Sequence, residues 1–346
     1  MHKLAQGHRV LGLDLGNAKL KALYLESANG EAQRCVWDSM PLPVTNDRSL
    51  DFQLYVPLQL QAFLSSHAVE KADIEYVVVC CSHSFGFDPY SESIRHLKQV
   101  LHAFFEAVPV ALVRADGVLT ALDDIDDLSD DALYAYVFTN FYGSAWLGSQ
   151  CIEQGLSLDM GTTTLDIIPI RDGRVDPAGL TGLTGLSDPA QPDDPGHSAA
   201  ASDYLRFRYH RDRIHWLGMT VTPLEKLCQR VRSGGKSYQV VPRNYRTDNL
   251  FARLCSESTA STSTSTSTST LSRVQALLQR HAYDQYFPDA AAAHRALAES
   301  IGLDRHLLSL KEAEEVQSVF LEAFIAQAAA AIERVLREEF GPPAQW

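Results

Sequence analysis

Two Asp-x-Gly turns carry most of the chemistry visible in the sequence, Asp14-Leu15-Gly16 and Asp159-Met160-Gly161. Glycine at such a turn lets a phosphate approach backbone N–H groups, because no Cβ intervenes. After the first turn the chain runs Asn17-Ala18-Lys19-Leu20-Lys21. Strand alternation points Lys19 and Lys21 the same way, so either ammonium can reach a phosphate. After the second turn come Thr162-Thr163-Thr164, whose three hydroxyls and amides can line an anion, and then Asp166. Asp14 and Asp159 end their strands facing that space, where they can hold Mg²⁺ directly or through water. The other reading is a pair of tight β-turns with no ligand.

The elements that must position these residues form a repeat. Leu11-Gly12-Leu13-Asp14-Leu15-Gly16 recurs as Leu156-Ser157-Leu158-Asp159-Met160-Gly161. A second β-rich run follows each copy, Leu20–Glu26 and then Thr164–Arg171. Each run meets a hairpin signal, Asn29-Gly30 or Asp172-Gly173, suited to two-residue turns with positive φ. Two such units in one chain predict two similar domains, residues 1–152 and 153–346. Between the copies, Leu58–His67 reads as a helix, Tyr76–Cys81 as a buried strand and Ser91–Ala107 as an amphipathic helix. Val108–Val113 reads as a strand and Leu133–Ile152 as one helix. The last third reads as helical, ending in an Ala-rich helix over Lys311–Phe340. Strands alternating with helices predict an α/β fold.

Composition sets the wider frame. The chain has 346 residues, 45% hydrophobic and 21% charged, enough for a sizeable core in roughly two domains. A formal net charge of -13 argues against a nucleic-acid partner, which needs a basic footprint. No apolar run reaches about 18 residues, so no membrane-spanning helix is expected. Met1-His2-Lys3 leads almost at once into a strand without a signal-peptide pattern, and the six cysteines form no CxxC pair. Reduced thiols and a cytoplasmic location are therefore expected. Stretches 185–202 and 256–272 read as flexible insertions, the second holding a Ser-Thr alternation. The acidic run Asp123–Asp131 reads as a solvated face, and Arg206, Arg208, Arg211 and Arg213 as a solvated basic cluster. His210 and His215 lack zincin spacing, and neither a GxSxG nor a Walker A motif occurs.

The turns resemble the phosphate loops of the actin/sugar kinase/Hsp70 superfamily. Its Asp-x-Gly-x₄-Lys loop is matched by Asp14, Gly16 and Lys21, and its Asp-x-Gly-x-x-Thr loop by Asp159, Gly161 and Thr164. The resemblance implies two RNase H-like domains with a polyphosphate in the cleft between them, to which the sequence pattern adds the helical C-terminal part.

A narrower resemblance rests on the block Leu158–Ile170. It is similar to hydantoinase A/oxoprolinase-related proteins of the tetrahydromethanopterin-linked C1 transfer pathway. That family's opening Gly-Gly-Ala-Asn-Leu-Lys loop corresponds to Gly16–Lys21, and its Ala-Asn-Trp helix start resembles Thr139-Asn140-Phe141. Further landmarks resemble Trp216-Leu217-Gly218, Thr222-Pro223 and Arg246-Thr247-Asp248. The resemblance implies a transferase of methylofuran-type cofactor biosynthesis. Such a synthase joins a furan-methyl diphosphate to the phenol of tyrosine or tyramine and releases diphosphate. It implies catalytic roles for Asp14, Lys21 and Asp159, with Mg²⁺ held by Asp14 and Asp159. Gly16, Asn17, Lys19, Gly161, Thr162, Thr163 and Thr164 would meet the diphosphate, and Asn140 and Asp248 the substrate. Its partners would be a small-molecule diphosphate and a phenol, with no nucleic acid or membrane, in a homo- or hetero-oligomer.

This sequence also departs from the family. An acidic Thr-x-Glu-Leu-x-Asp stretch is replaced by Cys81–Asp88, where His83 can act as a base towards a phenol or be an ordinary polar residue. Asn17 replaces a Gly and Lys19 an Asn, adding side chains at the first turn. Two alternatives stand beside the synthase. One is an ATP-dependent kinase or amidohydrolase, which needs an adenosine loop and finds only Ser233-Gly234-Gly235-Lys236. The other is a non-catalytic partner subunit with a degenerate site.

The Ser-Thr tract has almost no apolar surface to offset chain-ordering entropy. Deleting Ser261–Thr270 is expected to leave the thermal midpoint, read by calorimetry, unchanged within about a degree. A large drop would show that the tract packs in the fold.

Overall fold

The strand that ends in the first Asp-x-Gly turn is two-faced, and that property organises the first part of the chain. The computed structural model describes residues 8–16, 19–29, 31–42, 48–82, 87–161, 163–175, 213–219, 222–242, 245–251 and 290–342. Asn17, His83, Thr162, His210, Arg206, Arg208, Arg211 and the stretches 185–202 and 256–272 lie outside the described residues. The chain divides into two compact units, residues 1–158 with 168–213, and residues 159–167 with 214–346.

In the first unit, β1 (His8–Leu15), β2 (Lys19–Ala28), β3 (Glu31–Pro41), β4 (Tyr76–Cys81), β5 (Val110–Val113) and β6 (Leu119–Ala121) form one sheet, ordered β3-β2-β1-β4-β5-β6. β1 is antiparallel to β2 and β2 to β3, whereas β1, β4 and β5 are parallel and β6 turns back. Leu11, Leu13 and Leu15 of β1 are buried, as are Leu20, Ala22 and Tyr24 of β2 and Val77, Val79 and Cys81 of β4. They share a core with α1 (Arg48–Ser66) and α2 (Ser91–Phe105). The period-two alternation sends Gly12, Asp14, Lys21 and Cys80 to the opposite face. On that face Leu23 and Trp37 are cross-strand partners, 43% and 66% exposed.

The sequence reading holds for α2, whose Ile94, Leu97 and Leu101 are buried, and for β4 and β5. α1 begins ten residues before the expected start and carries Pro57 inside. Phe52, Val56, Leu60, Phe63 and Leu64 supply a buried stripe at helical spacing, which extends the helix through the proline.

The single helix expected over Leu133–Ile152 is instead broken. α3 (Asp130–Leu133) and a 3₁₀ turn precede α4 (Phe141–Ser149). Between them Thr139 donates its amide to the Cys81 carbonyl (2.8 Å), and the Cys81 amide donates to Thr139 Oγ1 (3.2 Å). Phe138 takes a left-handed φ of 57°. These long-range bonds extend the end of β4 and outweigh the local helical preference.

β7 (Gly155–Met160) and β8 (Leu165–Arg171) form the second copy of the repeat, and β9 (Arg174–Val175) pairs with β8. The expected Asp172-Gly173 hairpin is present, with φ of 51° and 65° and Arg171 opposite Arg174. Leu165–Ile170 of β8 are all buried.

The second unit contains β10 (Ile214–His215), which lies against β8 with Ile214 opposite Asp166. It also contains the hairpin β11 (Arg230–Ser233) and β12 (Lys236–Gln239), α5 (Asp248–Phe251), α6 (Ala290–Ser300) and α7 (Leu310–Phe340). Ser309 caps α7: its Oγ accepts from the Glu312 amide, and the Glu312 carboxylate accepts from the Ser309 amide. Among the described residues, no helix is long and apolar enough to cross a membrane.

The two faces of the first sheet are separable by mutation. Leu13→Ala, in the core, is expected to lower stability by about 2–5 kcal/mol. Leu23→Ala, on the open face, should cost under about 1 kcal/mol. Urea unfolding measures both, and equal losses would mean that the open face is packed.

Candidate phosphate-binding turns

Each Asp-x-Gly turn is closed by the same hydrogen bond. At the first, the Gly16 amide donates to the Lys19 carbonyl at 2.9 Å. At the second, the Gly161 amide donates to the Thr164 carbonyl at 2.8 Å. A Cβ on Gly16 would lie 3.1 Å from the Lys19 carbonyl oxygen, a tight contact that glycine avoids. At Gly161 the corresponding distance is 3.6 Å, an ordinary contact.

In the first unit the register sets four side chains in a row across the open face. Ser39 lies opposite Lys21, Lys21 opposite Asp14 and Asp14 opposite Cys80. Lys21 Nζ lies 2.7 Å from Asp14 Oδ2. The sequence marks both residues as ligand groups, and the structure joins them as an ion pair. Asp14 Oδ1 is buried and has no hydrogen-bond partner among the described residues. An orphaned carboxylate oxygen of this kind fits a metal ion or its water, so Asp14 suits the expected Mg²⁺ role. Magnesium takes one or two protein carboxylates and completes its shell with phosphate and water. Among the described residues no group of three or more His, Cys, Asp or Glu could hold a metal.

Lys19 is half-buried, and its ammonium is lowered to about 8, first by burial and then by the facing Lys21. Cys80 is pushed up to about 12 by burial, reinforced by the Asp14 carboxylate. The Gly143 backbone of α4 hydrogen-bonds the Cys80 thiol. Thr139, held to Cys81, fixes the start of α4, and Asn140 follows it, half-buried. The first unit thus gathers Asp14, Gly16, Lys19 and Lys21 at one turn, with Asn140 at the helix start beside β4.

The second turn has its own support. Thr164 Oγ1 donates to the buried Asp166 carboxylate (3.2 Å), so this hydroxyl is oriented inside the protein. The sequence reading gives Asp166 no role, although its place two positions after Thr164 makes the bond readable. The Met219 amide donates to the Gly161 carbonyl (3.1 Å). Beside Met219, the Gly218 carbonyl accepts from Thr247 Oγ1 (2.7 Å) and from Thr222 Oγ1 (3.1 Å). Thr247 leads into Asp248, whose carboxyl is raised by burial. The landmarks Gly218, Thr222 and Thr247-Asp248 therefore form one bonded cluster with the turn. Asp159 and Thr163 are half-buried in the same turn.

Two expectations are corrected. Arg213, directly before β10, is buried and not solvated. Ser233-Gly234-Gly235-Lys236 is the β11–β12 turn, with φ of 56° and 75° at the glycines. The Gly234 amide donates to Glu315 Oε2 of α7 at 2.8 Å, so a carboxylate already occupies the donor that an adenosine loop would offer. The acidic run is solvated as expected, with Asp126 paired to Lys98 and Asp130 to Arg95.

The sequence matches no family model, and no curated protein matches it. Among solved structures, the chain is similar to a type II variant of the Ppx/GppA phosphatase from Aquifex aeolicus, at 11% identity and TM-score 0.30 over 59% of this chain. It is similar to nucleotide-free acetone carboxylase at 8% identity and TM-score 0.29 over 49% of this chain. The chain spans less than two thirds of these two, 63% and 44%. An exopolyphosphatase from Cytophaga hutchinsonii is matched at 11% identity and TM-score 0.33, over 92% of this chain and 90% of its own.

The thiols give a direct test of the row at the first turn. A thiol held near 12 is thiolate in only about one molecule in 10⁴ at pH 8. Iodoacetamide at pH 8, followed by peptide mass spectrometry, should modify the exposed Cys35 and Cys151 well before Cys80. Equal rates would show that Cys80 is open to solvent and remote from Asp14.

Proposed function

We propose that this chain is an α/β protein of two RNase H-like domains whose repeated Asp-x-Gly turns bind the diphosphate of a small-molecule substrate with Mg²⁺. The observation that carries the reading is the shared closure of the turns, Gly16 to Lys19 and Gly161 to Thr164, each beside an aspartate. The first sheet supports the fold assignment: three antiparallel strands lead into two parallel ones, in the order 3-2-1-4-5.

The reaction we propose is transfer of a furan-methyl group from its diphosphate to the phenol of tyrosine or tyramine. The carbon–oxygen bond to diphosphate breaks, the phenol oxygen bonds to the methylene carbon, and the phenolic proton is released. The support is the block Leu158–Ile170 and the clustering of Gly218, Thr222 and Asp248 landmarks around its turn. Asp14 and Asp159 would hold Mg²⁺, which neutralises the leaving diphosphate. Gly161, Thr163 and Thr164 would orient the diphosphate, and Asn140 and Asp248 the substrate. Such chemistry needs alignment and exclusion of water rather than a covalent nucleophile, and the protonated Cys80 thiol is in keeping with that.

Inorganic diphosphate with Mg²⁺ is expected to raise the thermal midpoint, since a ligand selective for the native state stabilises it by mass action. Asp14→Asn and Asp159→Asn should each remove the metal-dependent part of the shift. Much stronger stabilisation by ATP would favour a kinase or amidohydrolase. No shift with either ligand at millimolar concentration would favour a partner subunit without catalysis.

A further inference from the structure

β3 ends the first sheet, and among the described residues no strand pairs with its outer edge. It runs for 11 residues, Glu31–Pro41. Its ladder with β2 is irregular only between Glu26 and Ser27, so the stretch 34–41 offers a regular edge. Such an edge is a template for a further strand. Two charged residues of this stretch, Arg34 and Asp38, lie on the core face with Val36 and Met40. Charges of one sign there would repel a second copy of the strand, but these are opposite in sign and symmetric about Val36. We propose that two copies of this chain pair antiparallel along β3, with Val36 opposite the partner's Val36, and so join their first sheets across a two-fold axis.

Register decides the case. In an antiparallel pair, directly opposite residues share a face and their side chains interact. Centred on Val36, Arg34 stands opposite the partner's Asp38, and Asp38 opposite the partner's Arg34. Within one copy the two are four residues apart, about 13 Å along the strand, too far to meet. Among the described residues Arg34 makes no ion pair: its guanidinium donates to the His67 and Ala68 carbonyls directly after α1. The Asp38 side chain is 52% exposed, with His67 Nε2 at 3.9 Å. Moving the centre to Cys35 or Trp37 sets Arg34 against the partner's Val36 or Met40. Moving it to Arg34 or Asp38 sets like charges opposite each other, which is destabilising. The open face agrees with the same register. Trp37, 66% exposed, has Leu23 beside it in its own sheet and the partner's Cys35 on its other side. Leu25 lies beside Cys35, and Val10 beside Leu25. Two apolar rows, related by the two-fold axis, therefore run across the junction, and the exposed indole gains an apolar neighbour that one copy does not supply.

The experiment is analytical ultracentrifugation of the full chain over a range of concentrations, on wild type, Asp38→Lys, Arg34→Glu and an equimolar mixture of the two variants. Wild type should sediment as a dimer. Asp38→Lys sets cation against cation and Arg34→Glu sets anion against anion, so each should weaken dimerisation at least about tenfold. In the mixture, the glutamate introduced in one copy meets the lysine introduced in the other, while Arg34 of the second still meets Asp38 of the first. The mixture should therefore dimerise although neither variant does so alone. A bismaleimide with a spacer of about 8 Å should join the exposed Cys35 to the partner's Cys35, its diagonal neighbour, with peptide mass spectrometry identifying the link. Arg34→Glu also removes the donors to the His67 and Ala68 carbonyls, so circular dichroism checks that it folds. Should it not fold, Asp38→Lys and the Cys35 cross-link carry the test. A monomeric wild type, a dimer that Asp38→Lys leaves intact, a mixture of folded variants that stays monomeric, or a cross-link through Cys151 in place of Cys35 overturns the inference.

Discussion

Everything at the first turn depends on the period-two geometry of β1. Leu11, Leu13 and Leu15 must enter the core beneath α1 and α2, so Asp14 is forced to the opposite face at the last position before the turn. A slip of one residue would bury the carboxylate and expose three leucines, which makes the register costly to change. The same constraint passes across the ladder. Once Leu13 is inward, Ala22 and Val79 opposite it are inward, and Lys21 and Cys80 are outward with Asp14. The row of Ser39, Lys21, Asp14 and Cys80 is a by-product of packing the other side.

The second turn reaches a similar shape by a different route. β8 is buried on both faces, so alternation alone cannot aim Thr164 or Asp166. Hydrogen bonds take over: Thr164 is tied to Asp166, the Gly161 carbonyl to Met219, and Gly218 to both Thr222 and Thr247. One turn is thus oriented by apolar burial and the other by a polar network. In the second the threonine hydroxyls serve structure first: Thr222 and Thr247 are buried and bonded to backbone, whereas Thr163 is half-exposed in the loop.

Much of this was legible in the sequence. The alternating leucines, the paired Asp-x-Gly turns and the Asp172-Gly173 hairpin are local patterns, and the structure keeps them. The Asp14–Lys21 pair was legible too: strands that turn back directly after Gly16 bring Asp14 opposite Lys21. The sequence reading gives Asp14 to a metal ion and Lys21 to a phosphate, and so does not pair them with each other. The break between α3 and α4 was not legible, because Thr139 is satisfied by Cys81, far away in sequence. Nor was the burial of Arg213, beside a strand, β10, whose pairing with β8 is long-range. The Ser233–Lys236 turn shows a related limit, since a glycine pair signals backbone freedom but not whether a carboxylate such as Glu315 already fills the donor.

The division of the chain has a consequence for how the protein is made. The short piece 159–167 belongs to the second unit, although it is followed by residues 168–213 of the first. The units are interleaved along the chain, and no single cut releases either one whole. On a ribosome, the second turn emerges long before Met219, whose amide holds the Gly161 carbonyl, and before Thr247, which anchors Gly218. The β7–β8 segment therefore emerges before its polar scaffold has been synthesised. A pause in translation after residue 171 would prolong that delay and leave the apolar β8 without β10 beside it, the interval in which a chaperone would matter most.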